Sequence, residues 1–178
     1  KSARKEAKRL AKEGWTVAPG CLPLDKQLDR TYIMQFQYSD INTPTYIMGD
    51  GMSVAGNYDG AKIQAMELAK FNIISQLQSD ITALVENTVA NDQLSDEEAA
   101  SVSRTVMASK NVMAQKLGQL TPVLETYRTT DKGTKEVLVR VAYNLEQARK
   151  LAMEAVKANL EAKGDTLHKK IDALQLDR

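Results

Sequence analysis

A chain of 178 residues, 43% hydrophobic and 26% charged, can bury a core without disulfides or metal, and this ordinary composition excludes global disorder. Its formal net charge of +1 supplies no overall field for nucleic acid, and no apolar run approaches the roughly 18–20 residues of a membrane-spanning helix. Cys21 is the only cysteine, which excludes an internal disulfide, and aromatics at 5% predict a core of aliphatic side chains and methionine.

The first segment, KSARKEAKRLAKEG, is rich in Ala, Lys, Arg and Glu and predicts a helix closed by Gly14. Residues 1–13 carry six Lys or Arg against Glu6 and Glu13, a local charge of +4. A narrow stripe of Ala3, Ala7, Leu10 and Ala11 makes this a solvated lead-in helix, with weak membrane-surface contact through Lys1 to Lys12 as its sharper reading. The segment has neither an apolar stretch nor an initiator Met, as expected of an exported chain after signal-peptide removal or of a trimmed one. Trp15 to Gly20 reads as extended and ends in a turn. Pro23 then suits the first turn of a helix carrying Leu24, Leu28 and Tyr32, and DINTP (40–44) is a loop.

YIMGDGMSV (46–54) reads as a strand with Tyr46, Met48 and Met52 on one face and Ile47 and Gly49 on the other. Two glycines inside a strand imply a bulge or a helix backbone close by. Gly49-Asp50-Gly51 matches no phosphate-binding glycine pattern. After Asn57 or Asp59, either a suitable cap, Ile63, Met66, Ile73, Leu77, Ile81, Leu84 and Thr88 recur at threes and fours. They predict one long helix, broken at Asn91-Asp92-Gln93. A second helix is expected from Ser95, whose spacing to Glu98 is that of a capping box, to Gly118, with Ala99, Val102, Val106, Met113 and Leu117 inward. Residues 122–128 and 135–143 predict a hairpin turning at Gly133, with Val137, Val139, Val141 and Tyr143 on one face. Helical period returns from Leu145 through Leu160, stops at Gly164, and resumes with Leu167, Ile171, Leu174 and Leu176.

Chemistry-bearing groups are sparse. One histidine (His168) and one cysteine cannot supply a zinc centre without several carboxylates, and no EF-hand spacing occurs. A nucleophilic triad would have to recruit His168 from the C-terminal tail. Met48, Met52, Met66, Met107, Met113 and Met153 read as core filling. Tyr127-Arg128 without a basic stripe is a poor nucleic-acid platform. The sequence therefore calls for no catalytic, cofactor-binding or metal-ligating residue, no cofactor, no nucleic-acid partner and no transmembrane segment.

From Tyr46 to Tyr143 the chain resembles the LPP-twenty-type envelope lipoprotein family of Gram-negative bacteria. The residues that carry the likeness are the glycine-bearing strand YIMGDGMSV, the helix AKIQAMELAKFNIISQLQSDITALVEN, and the strands PVLETYR and KEVLVRVAY. The resemblance implies a dodecin-like or Tip-alpha-like arrangement, long helices across a small antiparallel sheet. It also implies export to the periplasm or outer membrane and no enzymatic activity. The family's lipidated cysteine stands at the mature N-terminus, whereas Cys21 is internal.

The resulting expectation is an α+β fold, with about three strands in one antiparallel sheet packed by two long amphipathic helices. Additional N- and C-terminal helices would gather at the sheet's edge. As domains, 1–178 forms one, divided into a helical and extended N-terminal extension (1–45), a core (46–143) and C-terminal helices (144–178). The expected function is that of a non-enzymatic exported envelope protein, structural or interacting, with self-association or an envelope protein as partner. The alternative is a small-ligand binding module with an apolar pocket between sheet and helices.

Overall fold

The computed structural model describes residues 2–175, with the side chains of Leu174 and Gln175 excepted; Lys1 and Leu176 of the expected elements lie outside the described residues. Ten elements follow in order: α1 (Ser2–Lys12), α2 (Leu24–Gln35), β1 (Tyr46–Ala55), α3 (Tyr58–Ala90), α4 (Asp96–Ala108), α5 (Lys110–Leu117), β2 (Pro122–Thr129), β3 (Lys135–Asn144), α6 (Leu145–Ala162) and α7 (Leu167–Gln175). The class is α+β, as the sequence pattern predicts. The chain divides into two compact units. One holds the residues up to Ile73 together with Gln119–Leu145; the other holds Ile74–Gly118 and the residues from Glu146. The 46–143 stretch contributes to both.

The first unit contains the sheet, ordered β1-β3-β2 and antiparallel throughout. The hairpin forms where expected, with Gly133 at φ 81 and Thr129 opposite Lys135. Val137, Val139 and Val141 are fully buried on one face. Each contributes roughly 1.5–3 kcal/mol by leaving water. Beside them on that face lie Gly49 and Gly51 of β1, and over these runs the first half of α3. Asn57 caps that helix, its Oδ1 accepting from the Gly60 N–H at 2.8 Å.

Here the expected apolar stripe is displaced. Ile63 is 69% exposed and Met66 only half-buried, while Ala61, Ala65 and Ala69 are fully buried. The cause is the glycine floor. A Cβ on Gly51 would stand 1.9 Å from the Ala65 carbonyl oxygen, and one on Gly49 would stand 2.3 Å from that of Ala69. Backbone meets backbone, so only the helix face with the smallest side chains fits against the strand. Strand alternation keeps Met52 off the face of Gly49 and Gly51, so it does not fill that core. It lies on the opposite face of β1, and it is 52% exposed.

The sheet's second face is covered at its β2 side, so the N-terminal helices lie over part of that face as well as along the β2 edge, an edge being where they are expected. Leu124 joins a buried cluster with Ala3, Leu10, Trp15 and Leu28, against which Ala7, Leu24, Tyr32 and Leu138 pack. Glu6 hydrogen-bonds the Tyr32 hydroxyl, whereas the carbonyl of Glu13 accepts from Arg128. Arg30 donates to the Val123 carbonyl and Gln27 accepts from the Glu125 N–H. Those contacts fix α1 and α2 as an antiparallel pair laid over the sheet. Pro23 precedes α2, and its carbonyl accepts from Lys26 and Gln27.

In the second unit the continuation of α3 buries Ile74, Leu77, Ile81, Val85 and Thr88, close to the predicted stripe. Ser95 forms its capping box with Glu98. The helix expected from Ser95 to Gly118 is two helices, broken at Ser109, and it belongs to this unit rather than to the sheet's. Ser109 Oγ donates to the Thr105 carbonyl at 2.6 Å and accepts from Asn159 Nδ2 at 3.3 Å. A side chain that bonds the carbonyl four residues back loosens the helical ladder, and no Gly or Pro announces it. Gly118 (φ 69) and Gly164 (φ 70) end α5 and α6 as expected.

Candidate interaction surface

His168, Tyr127 and Arg128 are held in structural contacts. His168 lies in α7, its Nδ1 2.7 Å from the Asp165 carbonyl oxygen, while an Asp165 side-chain oxygen accepts from the Leu167 N–H at 3.0 Å. Arg128 sits 4.5 Å over the Trp15 ring and donates to Glu136 and to the Glu13 carbonyl, and Tyr127 packs edge-on against Tyr58. Of the methionines, Met113 and Met153 are buried, Met48 and Met66 are half-buried, and Met52 and Met107 are exposed. Cys21 is a half-buried free thiol. Among the described residues no group of three or more His, Cys, Asp or Glu could hold a metal ion. No helix among them is long and apolar enough to cross a membrane.

One polar cluster escapes sequence reasoning because its members lie 67 positions apart. The Tyr58 hydroxyl donates to one oxygen of Glu125, and Lys62 Nζ is 3.1 Å from the other. Burial, then the hydrogen bond to Glu125, pushes the Tyr58 phenol well above its ordinary value. Both oxygens of the carboxylate are thus engaged by α3, and the cluster ties that helix to β2. In the second unit an open depression of about 400 Å³ is lined by Ser75, Gln78, Ser79, Thr82, Ala83, Glu86 and Met107. It gathers hydroxyl and amide groups without a convergent charged pair.

The sheet's two edges differ. At β2, Thr16 and Tyr127 exchange backbone hydrogen bonds of 2.8 and 2.9 Å, and the Thr126 hydroxyl donates to the Thr16 carbonyl. At β1, among the described residues, no strand lies outside. The Leu145 N–H donates to the Thr45 carbonyl, so alternation along the ladder directs the odd-numbered residues of β1 toward β3. The side of β3 facing β2 agrees, since Glu125 and Tyr127 donate outward to Gln27 and Thr16. The backbone groups of Asp50, Met52 and Val54 therefore face the open side.

Their side chains share one face, where Met52 and Val54 are about half exposed. On the other face Ser53 donates to Gln64 of α3 (2.5 Å), and Leu68, one turn further along, is 50% exposed beside the same edge. Ten residues long, β1 contains neither Pro nor Lys, the usual guards of an edge. Its one charge is neutralised, for Asp50 takes a bidentate pair from Arg140 at 2.7 and 3.1 Å. No protein-family model matches the chain, and neither a curated protein nor a solved structure does.

Proposed function

We propose that this chain is a non-enzymatic, exported cell-envelope protein that works by association, joining a second copy of itself through the outer edge of β1. The observation that carries this reading is the outward backbone of Asp50, Met52 and Val54, bordered by exposed Met52, Val54 and Leu68 and lacking an edge guard. An antiparallel strand added there gains main-chain hydrogen bonds and covers both apolar side chains. A two-fold axis lets one strand serve as both donor and acceptor. Support for a non-enzymatic role comes from Tyr58, Lys62 and Glu125, the polar groups that do converge, which satisfy one another. The envelope address follows from the resemblance to the LPP-twenty-type lipoproteins. A ligand pocket between sheet and helix is disfavoured where Gly49 and Gly51 touch the α3 backbone, because a single methyl group would not fit.

Sedimentation velocity tests the association. The wild type should form a dimer at or below about 100 µM, the range of a modest interface, and Met52→Lys with Val54→Lys should make it monomeric without unfolding it. A wild type that stays monomeric, or a dimer indifferent to both lysines, refutes the edge assignment.

A further inference from the structure

The expected membrane contact of the N-terminal helix cannot be that of an amphipathic helix lying in the bilayer. Its apolar stripe is spent, because Ala3 and Leu10 are buried against α2 and the sheet and Ala7 packs with them. What α1 turns outward is cationic. Arg4, Lys5, Lys8 and Lys12 are exposed and, among the described residues, none has an acidic partner; Arg9 is the cation that Glu6 and Glu13 neutralise. The outer side of α2 adds Lys26 and Arg30 but also Asp25 and Asp29, and so contributes no net charge.

Apolar groups of the required kind lie at the neighbouring end of the same layer. The hydrogen bond between Glu6 and Tyr32 sets the stretch of α1 that follows Arg4 and Lys5 beside the last turn of α2. There Ile33 is 66% exposed and Phe36 68%. The chain then forms a short finger, with Tyr38 bridged to Pro44 and the Ser39 N–H donating to the Thr43 carbonyl at 2.9 Å. At its tip stands Ile41, 94% exposed. The adjacent Asp40 is turned back, one carboxylate oxygen accepting from the Asn42 N–H, and that bond holds its carboxyl below the usual range. With Tyr38, itself half exposed, four large exposed side chains (Ile33, Phe36, Tyr38 and Ile41) thus fall within nine residues, next to a helix face bearing four free cations.

We infer that the outer face of α1 and the finger of residues 36–45 dock together on an anionic lipid surface. The cations supply long-range attraction, and Ile33, Phe36 and Ile41 supply a shallow anchor, two signals that together hold a protein at a membrane more firmly than either alone. A polyanion such as nucleic acid would use the cations but has no need of a projecting isoleucine.

Co-sedimentation of the full chain with phosphatidylglycerol-containing vesicles, against vesicles of phosphatidylcholine alone, tests this. Binding should be confined to the anionic vesicles and weaken with salt. Lys5→Gln, Lys8→Gln and Lys12→Gln together should weaken it on the order of a hundredfold, at roughly fivefold per charge. Phe36→Asn with Ile41→Asn, which leaves the charge unchanged, should weaken it about tenfold or more. Both variants replace exposed side chains, and an unchanged Trp15 emission will show that the fold is kept. No binding to anionic vesicles, or equal binding to both kinds, overturns the proposal. So does a Phe36→Asn/Ile41→Asn variant that binds anionic vesicles as the wild type does, or a wild type that prefers single-stranded nucleic acid to them.

Discussion

Gly51→Ala adds one methyl group to a strand, a change that ordinarily stabilises by about 0.5–1 kcal/mol through the entropy of the unfolded chain. In this protein the sign should reverse. The new Cβ would stand 1.9 Å from the Ala65 carbonyl oxygen and 2.6 Å from the Ala69 nitrogen, and real Cβ atoms essentially never come within 3.0 Å. Helix and strand must separate by at least 1.1 Å, the difference between 3.0 and 1.9 Å. A gap of 0.5–1 Å already forfeits about a quarter to a half of the attraction between facing atoms. That loss would extend along the Ala61, Ala65, Ala69 and Ile73 contact. Added to an overpacking cost of about 1–3 kcal/mol, it should reach about 3 kcal/mol or more. For a unit of about 100 residues such a loss lowers Tm by roughly 12–24 °C. Trp15, the only tryptophan and buried in the same unit, reports the transition by fluorescence during thermal or urea unfolding. Shortening the facing side chain by Ala65→Gly should not rescue the variant, because the obstacle is a main-chain oxygen. A Gly51→Ala protein as stable as the wild type, or restored by Ala65→Gly, would refute the backbone-contact reasoning.

Two further expectations concern single groups. Tyr58 has its folded pKa raised above the ordinary value of 10. The unfolded chain therefore loses this proton first, and the stabilisation, complete below pH 10, declines as pH rises toward the folded value. Urea midpoints measured from pH 8 to 11 should fall above pH 10, and fall less steeply in Tyr58→Phe; parallel slopes would contradict the assignment. Ser109→Ala deprives Asn159 of an acceptor and the Thr105 carbonyl of a donor. It should cost about 1–2 kcal/mol by equilibrium unfolding, and an unchanged midpoint would argue against a structural role for the Ser109 hydroxyl.

Periodicity was enough to read most elements, because strand alternation at Val137–Val141 and helical spacing at Ile73–Val85 are strong local signals. It failed where a distant partner chose the face. Ile63 and Met66 outweigh three alanines on any hydrophobic scale, yet the glycines of β1 admit only the alanines. The glycines did hint at a close helix; which helix face would meet them depended on geometry. The helix break at Ser109 carries a side-chain bond that no spacing rule announces. Leu124 reads as one more strand residue, and nothing near it tells that Ala3, Leu10 and Leu28 will cover it. The candidate edge was legible only as a strand. That β1 lies outermost follows from the order β1-β3-β2, a property of pairing across some ninety residues.

The single bridge at Thr16 has a consequence for how far association can proceed. A sheet with two bare edges can add copies without limit, and its product is a filament. In this sheet Thr16 already takes up the outward bonds of Tyr127, so each copy offers one edge. When two copies join through β1, both offers are used and the composite six-stranded sheet ends at Thr16 on either side. On the proposed association, assembly would stop at two, and Thr16, with Gln27 and Arg30 bonded to the same strand, would separate a finite particle from a growing fibre.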